Sequence, residues 1–192
     1  MKGSNALVIL TALTVAGGCA GGSSPTTMTN PPITTAVRTP PTKAAPSSPA
    51  TPWATAPITV SHQPPISTLP VLTRVRYAAH KDGFDRVVLD IPGALPGYSA
   101  RYVREVRRDG SDELVSMPGE AFLLIVLHPA QAHREDGTPT VTGTHRIGLA
   151  GIKAYAIVGD YEGYVSIALG VNGVQRYHIG ELTNRIYIDV AV

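Results

Sequence analysis

Residues 164–171, YVSIALGV, decide the fold. Apolar side chains occupy every second position of this stretch, at Val165, Ile167, Leu169 and Val171. Successive side chains of a strand point to opposite faces, so a period of two indicates a β-strand with one buried face. The stretches 86–91 and 185–192 alternate in the same way. The sequence therefore predicts sheets whose inner faces build a common core.

Short strands separated by turns fill the second part of the chain. Dipeptides such as Asp82-Gly83 and Asn172-Gly173 supply the backbone angles that tight turns need. The run 122–127, FLLIVL, is apolar on both faces, so we place it in the middle of a sheet. The predicted strands are about 71–78, 84–91, 98–106, 120–128, 152–158, 163–171, 175–181 and 185–191. This pattern predicts an all-β sandwich or barrel, with a long loop and a helical turn within 129–151.

The first 18 residues have the three parts of a secretory signal peptide. Lys2 gives a positive start, residues 6–16 form an apolar run, and Gly17-Gly18 precede Cys19. The apolar run has 11 residues, whereas a spanning helix needs about 20. The stretch 15–19, VAGGC, resembles the bacterial lipobox, which implies cleavage before Cys19 and a diacylglycerol on its thiol. An ordinary secretory signal with an incidental cysteine is the alternative.

Residues 20–70 have the composition of a tether. They contain 12 of the 17 prolines and two charged residues, Arg38 and Lys43. Such a segment cannot bury enough apolar surface to offset the entropy of ordering it, so residues 19–70 are predicted to be a lipidated, disordered stalk. A Pro, Thr and Ser composition is also typical of O-glycosylated stalks. The folded domain is expected at 71–192, on the outer side of the cell membrane.

The charges of the folded part are balanced. Residues 71–192 carry 13 Lys and Arg against 14 Asp and Glu. The densest basic group, within 101–108, is interrupted by Glu105. Nucleic-acid-binding proteins usually carry a concentrated basic face, so we expect no nucleic-acid partner. The partners expected instead are the membrane, through the lipid, and peptidoglycan or another envelope component.

Three motifs carry a family resemblance. They are 80–87 (HKDGFDRV), 95–98 (LPGY) and 185–190 (RIYIDV). The last of them echoes 86–90, since both stretches have an Arg four residues before an Asp. With these motifs, residues 71–192 resemble the AMIN-like domain of actinobacterial lipoproteins of the mycobacterial type. The related AMIN domains of cell-wall amidases and pilus secretins are β-sandwiches implicated in peptidoglycan binding. The resemblance implies a non-catalytic targeting or binding module, although no amidase domain accompanies it here.

No pattern of catalytic or metal-binding residues stands out. His128 and His133 are five residues apart, which fits neither an i, i+4 helical pair nor the HExxH zinc signature. No Gly-x-Ser-x-Gly elbow is present, and Cys19 is committed to lipid. We therefore predict no catalytic residue, no metal site and no cofactor.

Tyrosines are the better indication of a binding site. Tyr98 and Tyr102 share a strand face, and Arg104 is the next residue on that face. Aromatic rings with nearby hydroxyls suit sugar rings and peptides, so these three residues are the candidate ligand-binding residues. A second group, Tyr155, Tyr161 and Tyr164, brackets the turn at 159–160. The competing interpretation is that the tyrosines are half-buried packing residues.

Three functions remain open. The first is a non-catalytic module that binds cell-wall glycan or an envelope protein. The second is an envelope hydrolase, for which His133, His145 and an acid would have to converge in one pocket. The third is a carrier of a small apolar ligand, which requires a hollow core.

Overall fold

The computed structural model describes residues 52–65 and 68–192. Every regular element in this part of the chain is a β-strand, and no helix there is long and apolar enough to cross a membrane. The predicted signal peptide, Cys19 and most of the predicted tether lie outside the described residues.

Ten strands form a sandwich of two antiparallel sheets. The strands are β1 (Ile58–Val60), β2 (Arg74–His80), β3 (Phe84–Asp90), β4 (Gly97–Val103), β5 (Ala121–His128), β6 (Thr144–Arg146), β7 (Ile152–Tyr161), β8 (Tyr164–Val171), β9 (Tyr177–Leu182) and β10 (Arg185–Ala191). The six-stranded sheet has the order β1-β4-β5-β8-β7-β6, and the four-stranded sheet has the order β2-β3-β10-β9. The predicted β-sandwich is confirmed, and the eight predicted strands correspond to β2–β5 and β7–β10, whereas β1 and β6 were not predicted. In the loop predicted at 129–151, the described structure has the strand β6 and no helical turn.

The core lies between the two sheets. The inward side chains of β5 and β8, Ile125, Ile167 and Leu169, are at most 1% exposed. Ile186 and Ile188 of β10 are also fully buried, in the same apolar cluster. Burying an aliphatic side chain of this size contributes about 1.5–3 kcal/mol. Packing across the sandwich is therefore the main source of stability.

A second, smaller apolar cluster explains why β5 is apolar on both faces. Phe122 and Leu124 point away from the main core and pack against Val106, Val158 and Ala168. The chain between β4 and β5 folds over this outer face, where the amide of Asp109 donates to the carbonyl of Val158 at 2.9 Å. The central position predicted for the run 122–127 is correct, since β5 lies between β4 and β8.

The echo between residues 86–90 and 185–189 reflects strand pairing. In the antiparallel pair β3 and β10, Arg86 lies opposite Asp189, and Arg185 lies opposite Asp90. The guanidinium of Arg86 donates to both carboxylate oxygens of Asp189, at 2.6 and 2.7 Å. Because the strands run in opposite directions, the Arg-x-x-x-Asp pattern on each strand places each Arg opposite the other strand's Asp, although the carboxylate of Asp90 is bound by Arg76 of β2. The echo is thus a structural feature of the four-stranded sheet.

The motif at 80–87 also has structural roles. Its carboxylate Asp85 is 1% exposed and accepts the amides of Gly151 and Ile152, at 2.6 and 3.0 Å. These bonds tie β3 to the start of β7 in the other sheet. The rings of His80 and Phe84 stack across the turn with centroids 4.5 Å apart. Within this motif, Asp85 therefore connects the two sheets, whereas His80 and Phe84 stabilise the β2–β3 turn.

Residues that precede the predicted domain also pack on the sandwich. We call residues 53–65 the strap, because they cross from the edge of one sheet to the edge of the other. Ala54 pairs with Tyr177 of β9 through two backbone hydrogen bonds, at 2.8 and 3.0 Å. Four residues later, β1 pairs with β4, with Ile58 opposite Ala100. The strap thus covers one open side of the sandwich, although its prolines favoured a stalk.

Candidate functional site

The three predicted binding residues do not form an exposed face. Tyr98 is 5% exposed, and its burial beside Glu181 raises the pKa of its hydroxyl. The hydroxyl of Tyr102 donates to the carbonyl of Gln175 at 2.6 Å, and its ring meets the ring of Tyr177 edge-on. Arg104 lies beyond the end of β4 and is exposed. Alternation placed both rings on one face correctly, but that face is the inner one.

The second group of tyrosines contains the exposed rings. Tyr161 and Tyr164 lie opposite each other at the tip of the β7–β8 hairpin and are 70% and 46% exposed. Tyr155 of the same group is 6% exposed and stacks against His145, with centroids 4.7 Å apart. The hairpin tip therefore presents two aromatic rings to solvent on the outer face of the six-stranded sheet.

Tyr164 lines a first surface cleft. Its ring stacks on His128 of β5, with centroids 4.0 Å apart and an interplanar angle of 20°. The cleft has a volume of about 720 Å³. We call it the Tyr164 groove. It is formed by β4 (Gly97, Tyr98, Ser99), β5 and the residue after it (Val126, His128, Pro129), Tyr164 of β8, and the strap (Thr59, Val60, Ser61, His62, Gln63, Pro64, Pro65).

A polar junction fixes the strap at this groove. Nε2 of His62 lies 2.8 Å from a carboxylate oxygen of Glu181, on the neighbouring strand β9. The His62 ring also lies beside the Tyr98 ring, with centroids 6.4 Å apart. The carboxylate of Glu181, from the four-stranded sheet, therefore contacts the strap at His62, beside Tyr98 of the six-stranded sheet.

Tyr161 lines the second cleft, which contains a His–Asp pair. Nδ1 of His133 lies 2.7 Å from Oδ2 of Asp160, whose Oδ1 accepts the amide of Ala132 at 3.0 Å. His145 is engaged elsewhere, with Nε2 2.6 Å from the carbonyl oxygen of Thr142. The convergence of His133, His145 and an acid that a hydrolase requires is therefore only partly present. Among residues 52–65 and 68–192, no serine, threonine or cysteine side chain is hydrogen-bonded to His133.

Within the described residues, no three His, Cys, Asp or Glu side chains are grouped closely enough to hold a metal ion. What the Tyr164 groove offers is an aromatic surface bordered by hydroxyl, imidazole and amide groups. Such a surface can pack against a sugar ring or an extended peptide and hydrogen-bond to its polar groups.

Sequence reasoning missed part of this groove. The alternation in β8 did place Tyr164 on the face opposite the core, and that signal identifies it as an outward ring. The stack on His128 joins residues 36 positions apart, so it leaves no local pattern. The sequence of the strap did not indicate a groove wall either, because its composition matches that of a disordered linker.

Comparisons with known proteins identify the family but no close relative. Searches of curated proteins and of solved structures each find no match to this chain. The profile of the AMIN-like domain matches residues 70–192. This match covers more than half of the chain and includes both sheets of the sandwich except β1. The chain therefore belongs to the AMIN-like domain family.

Proposed function

We propose that this protein is a non-catalytic binding module of the cell envelope, which holds cell-wall glycan or its attached peptide in the Tyr164 groove. A lipid on Cys19 anchors it to the outer side of the cell membrane. The observation that carries the proposal is the Tyr164–His128 stack inside an open groove of about 720 Å³. This volume lies within the range of about 300–1,000 Å³ that is usual for ligand sites.

The chemistry of the groove suits a saccharide with polar substituents. Sugar rings have apolar faces that pack on aromatic rings, and the exposed ring of Tyr164 offers such a surface. Ser99 and Gln63 add a hydroxyl and an amide at the border of the same groove. Membership in the AMIN-like family supports wall binding, because the related AMIN domains are implicated in it.

The two competing functions have less support. The sandwich interior is filled by side chains that are at most a few per cent exposed, which is the packing of a core and not of a ligand carrier. The His133–Asp160 pair favours a hydrolase only in part. Asp160 also accepts a hydrogen bond from the amide of Ala132, so it holds residues 132–133 in place. This is a structural role that requires no catalysis.

Binding to isolated cell wall tests the proposal. Replacing Tyr164 by Ala should weaken retention about tenfold, or about 1.4 kcal/mol, because the stacking surface is lost. Tyr77→Ala is the matched control, since Tyr77 is 45% exposed on the four-stranded sheet and does not line the groove. Equal loss in both variants would contradict a specific groove. Failure of the parent to bind any wall preparation would overturn the proposed function.

Membrane anchoring is tested separately. The VAGGC stretch ends in the only cysteine of the chain, at the position where a lipobox places the lipid. Two or more acyl chains give stable attachment, whereas one chain is marginal. Cys19→Ser should therefore move the protein from the membrane fraction to the soluble fraction or leave it unprocessed. A Cys19→Ser protein that is processed normally and still stays in the membrane fraction would contradict lipid anchoring at this residue.

A further inference from the structure

The Tyr164 groove has two walls of different origin. One wall comes from β4, β5 and β8, which lie inside the family match at residues 70–192. The other wall is the strap, which precedes that match in the chain. Residues 59–65, including Pro64 and Pro65, line the groove directly. The groove therefore has its full shape only while the strap is docked on the sandwich.

The strap is also held at points outside the groove. At its start, the Trp53 ring packs near Phe84 and His178, with centroid distances of 6.0 and 5.7 Å. Ala54 exchanges two backbone hydrogen bonds with Tyr177, whose hydroxyl donates to the carbonyl of Ala56 at 2.6 Å. Neither Trp53 nor Ala54 lines the groove.

These contacts are few compared with those of the core. The strap contributes one strand of three residues, and Ile58 and Val60 are only partly buried against the main cluster. Trp53 remains 38% exposed. Segments with few buried contacts open at a lower free energy than the whole domain. Release of the strap thus removes only the edge strand β1 from the six-stranded sheet.

We infer that docking of the strap and occupation of the Tyr164 groove are coupled, so that the strap forms part of the binding site and regulates it. This inference rests on the proposed function, because it concerns the same groove. A ligand that touches both walls binds the docked state more tightly than the released state. By thermodynamic reciprocity, the bound ligand favours docking by the same factor by which docking raises the affinity for the ligand. Anything that pulls the strap away from β9 and β4 then releases the ligand.

Affinity measurements on strap variants test the coupling. The probe is the disaccharide-peptide mixture released from isolated cell wall, titrated into the full chain in detergent. Apparent affinity falls with the docked fraction, so a variant docked for about a tenth of the time binds about tenfold more weakly. We expect such a loss for Trp53→Ala, which removes the ring contacts, and for Ala54→Pro, which removes the amide donor to Tyr177. Trp53→Phe, which keeps an aromatic ring, should stay within about twofold of the parent.

A second measurement needs no variant. Trp53 is the only tryptophan of the chain, so its fluorescence reports on docking at a point outside the groove. Adding the probe should change the Trp53 emission and slow amide hydrogen exchange at Ala54 and Tyr177. The strand β2, which does not line the groove, serves as the exchange control and should not respond.

The outcomes separate the two proposals. Unchanged affinity in Trp53→Ala and Ala54→Pro, or unchanged exchange at Ala54 in the liganded parent, overturns the coupling and leaves the proposed function standing. A parent protein that binds none of the probe overturns both. A loss confined to the strap variants, together with slower exchange at Ala54, establishes the strap as a regulated wall of the site.

Discussion

One wall of the Tyr164 groove is built on β5 and β8, whose inward side chains lie in the core, whereas the other wall is the strap, whose Ile58 and Val60 are only partly buried against that core. β8 has eight residues, seven of them buried, and β1 has three residues, none of them buried. The comparison shows that one site can combine a wall as stable as the whole domain with a wall that opens locally. Substitutions in each wall and a change of pH distinguish global stability from local opening.

The largest effect is expected in the wall that rests on the core. Leu169 of β8 is fully buried, so Leu169→Ala should lower the free energy of unfolding by about 2–5 kcal/mol, from lost burial and the cavity left behind. Urea unfolding followed by circular dichroism measures this change. A loss below about 1 kcal/mol would mean that β8 is not central to the core.

High pH should lower the stability of the region where the strap contacts β9 and β4. Burial raises the pKa of Tyr177 to about 12, and burial also raises the pKa of Tyr98 and Tyr102. A raised folded-state pKa gives stability that is full below the unfolded value of about 10 and is lost as the pH rises towards 12. For Tyr177 alone the loss is on the order of 2 kcal/mol.

Urea midpoints measured between about pH 8 and pH 11 check this dependence. Tyr177→Phe should reduce the slope, because one buried hydroxyl no longer titrates. It also removes the hydrogen bond to the carbonyl of Ala56 in the strap. An identical slope in Tyr177→Phe and in the parent would show that this hydroxyl does not carry the effect.

The smallest effect on global stability is expected in the strap. Ile58 is partly buried against the core, so Ile58→Ala should change the free energy of unfolding by about 1 kcal/mol or less. The local effect should be larger, with faster amide exchange and faster proteolysis around residues 58–60. A loss as large as that of Leu169→Ala would contradict the distinction between the two walls.

The sequence predicted the part of the molecule that local patterns encode. Alternation in β3, β8 and β10 identified the strands, and the doubly apolar run of β5 predicted its central position. Alternation shows which residues share a face but not which face is inside. On β4, one face carries Tyr98, Ala100 and Tyr102, and neither face is a plain run of aliphatic residues. The face with the two tyrosines turned out to point inward.

The strap could not be predicted, because its order depends on distant partners. Trp53 packs on Phe84 and His178, which lie 31 and 125 residues further along the chain. The hydrogen bonds of Ala54 go to Tyr177. A composition rich in proline and threonine gives no local signal for such contacts. Pairing with distant residues orders the strap despite this composition. The same holds for the His128–Tyr164 stack, whose two residues come from neighbouring strands.

The most direct test of the account is to map the bound ligand on the molecule. Amide chemical shifts of isotope-labelled residues 20–192 are recorded during titration with the disaccharide-peptide mixture from cell wall. The account predicts that the largest shifts occur at Ser99, His128 and Tyr164 and at Gln63 of the strap. Shifts concentrated at His133 and Tyr161 in the second cleft, or on the outer face of the four-stranded sheet, would contradict it.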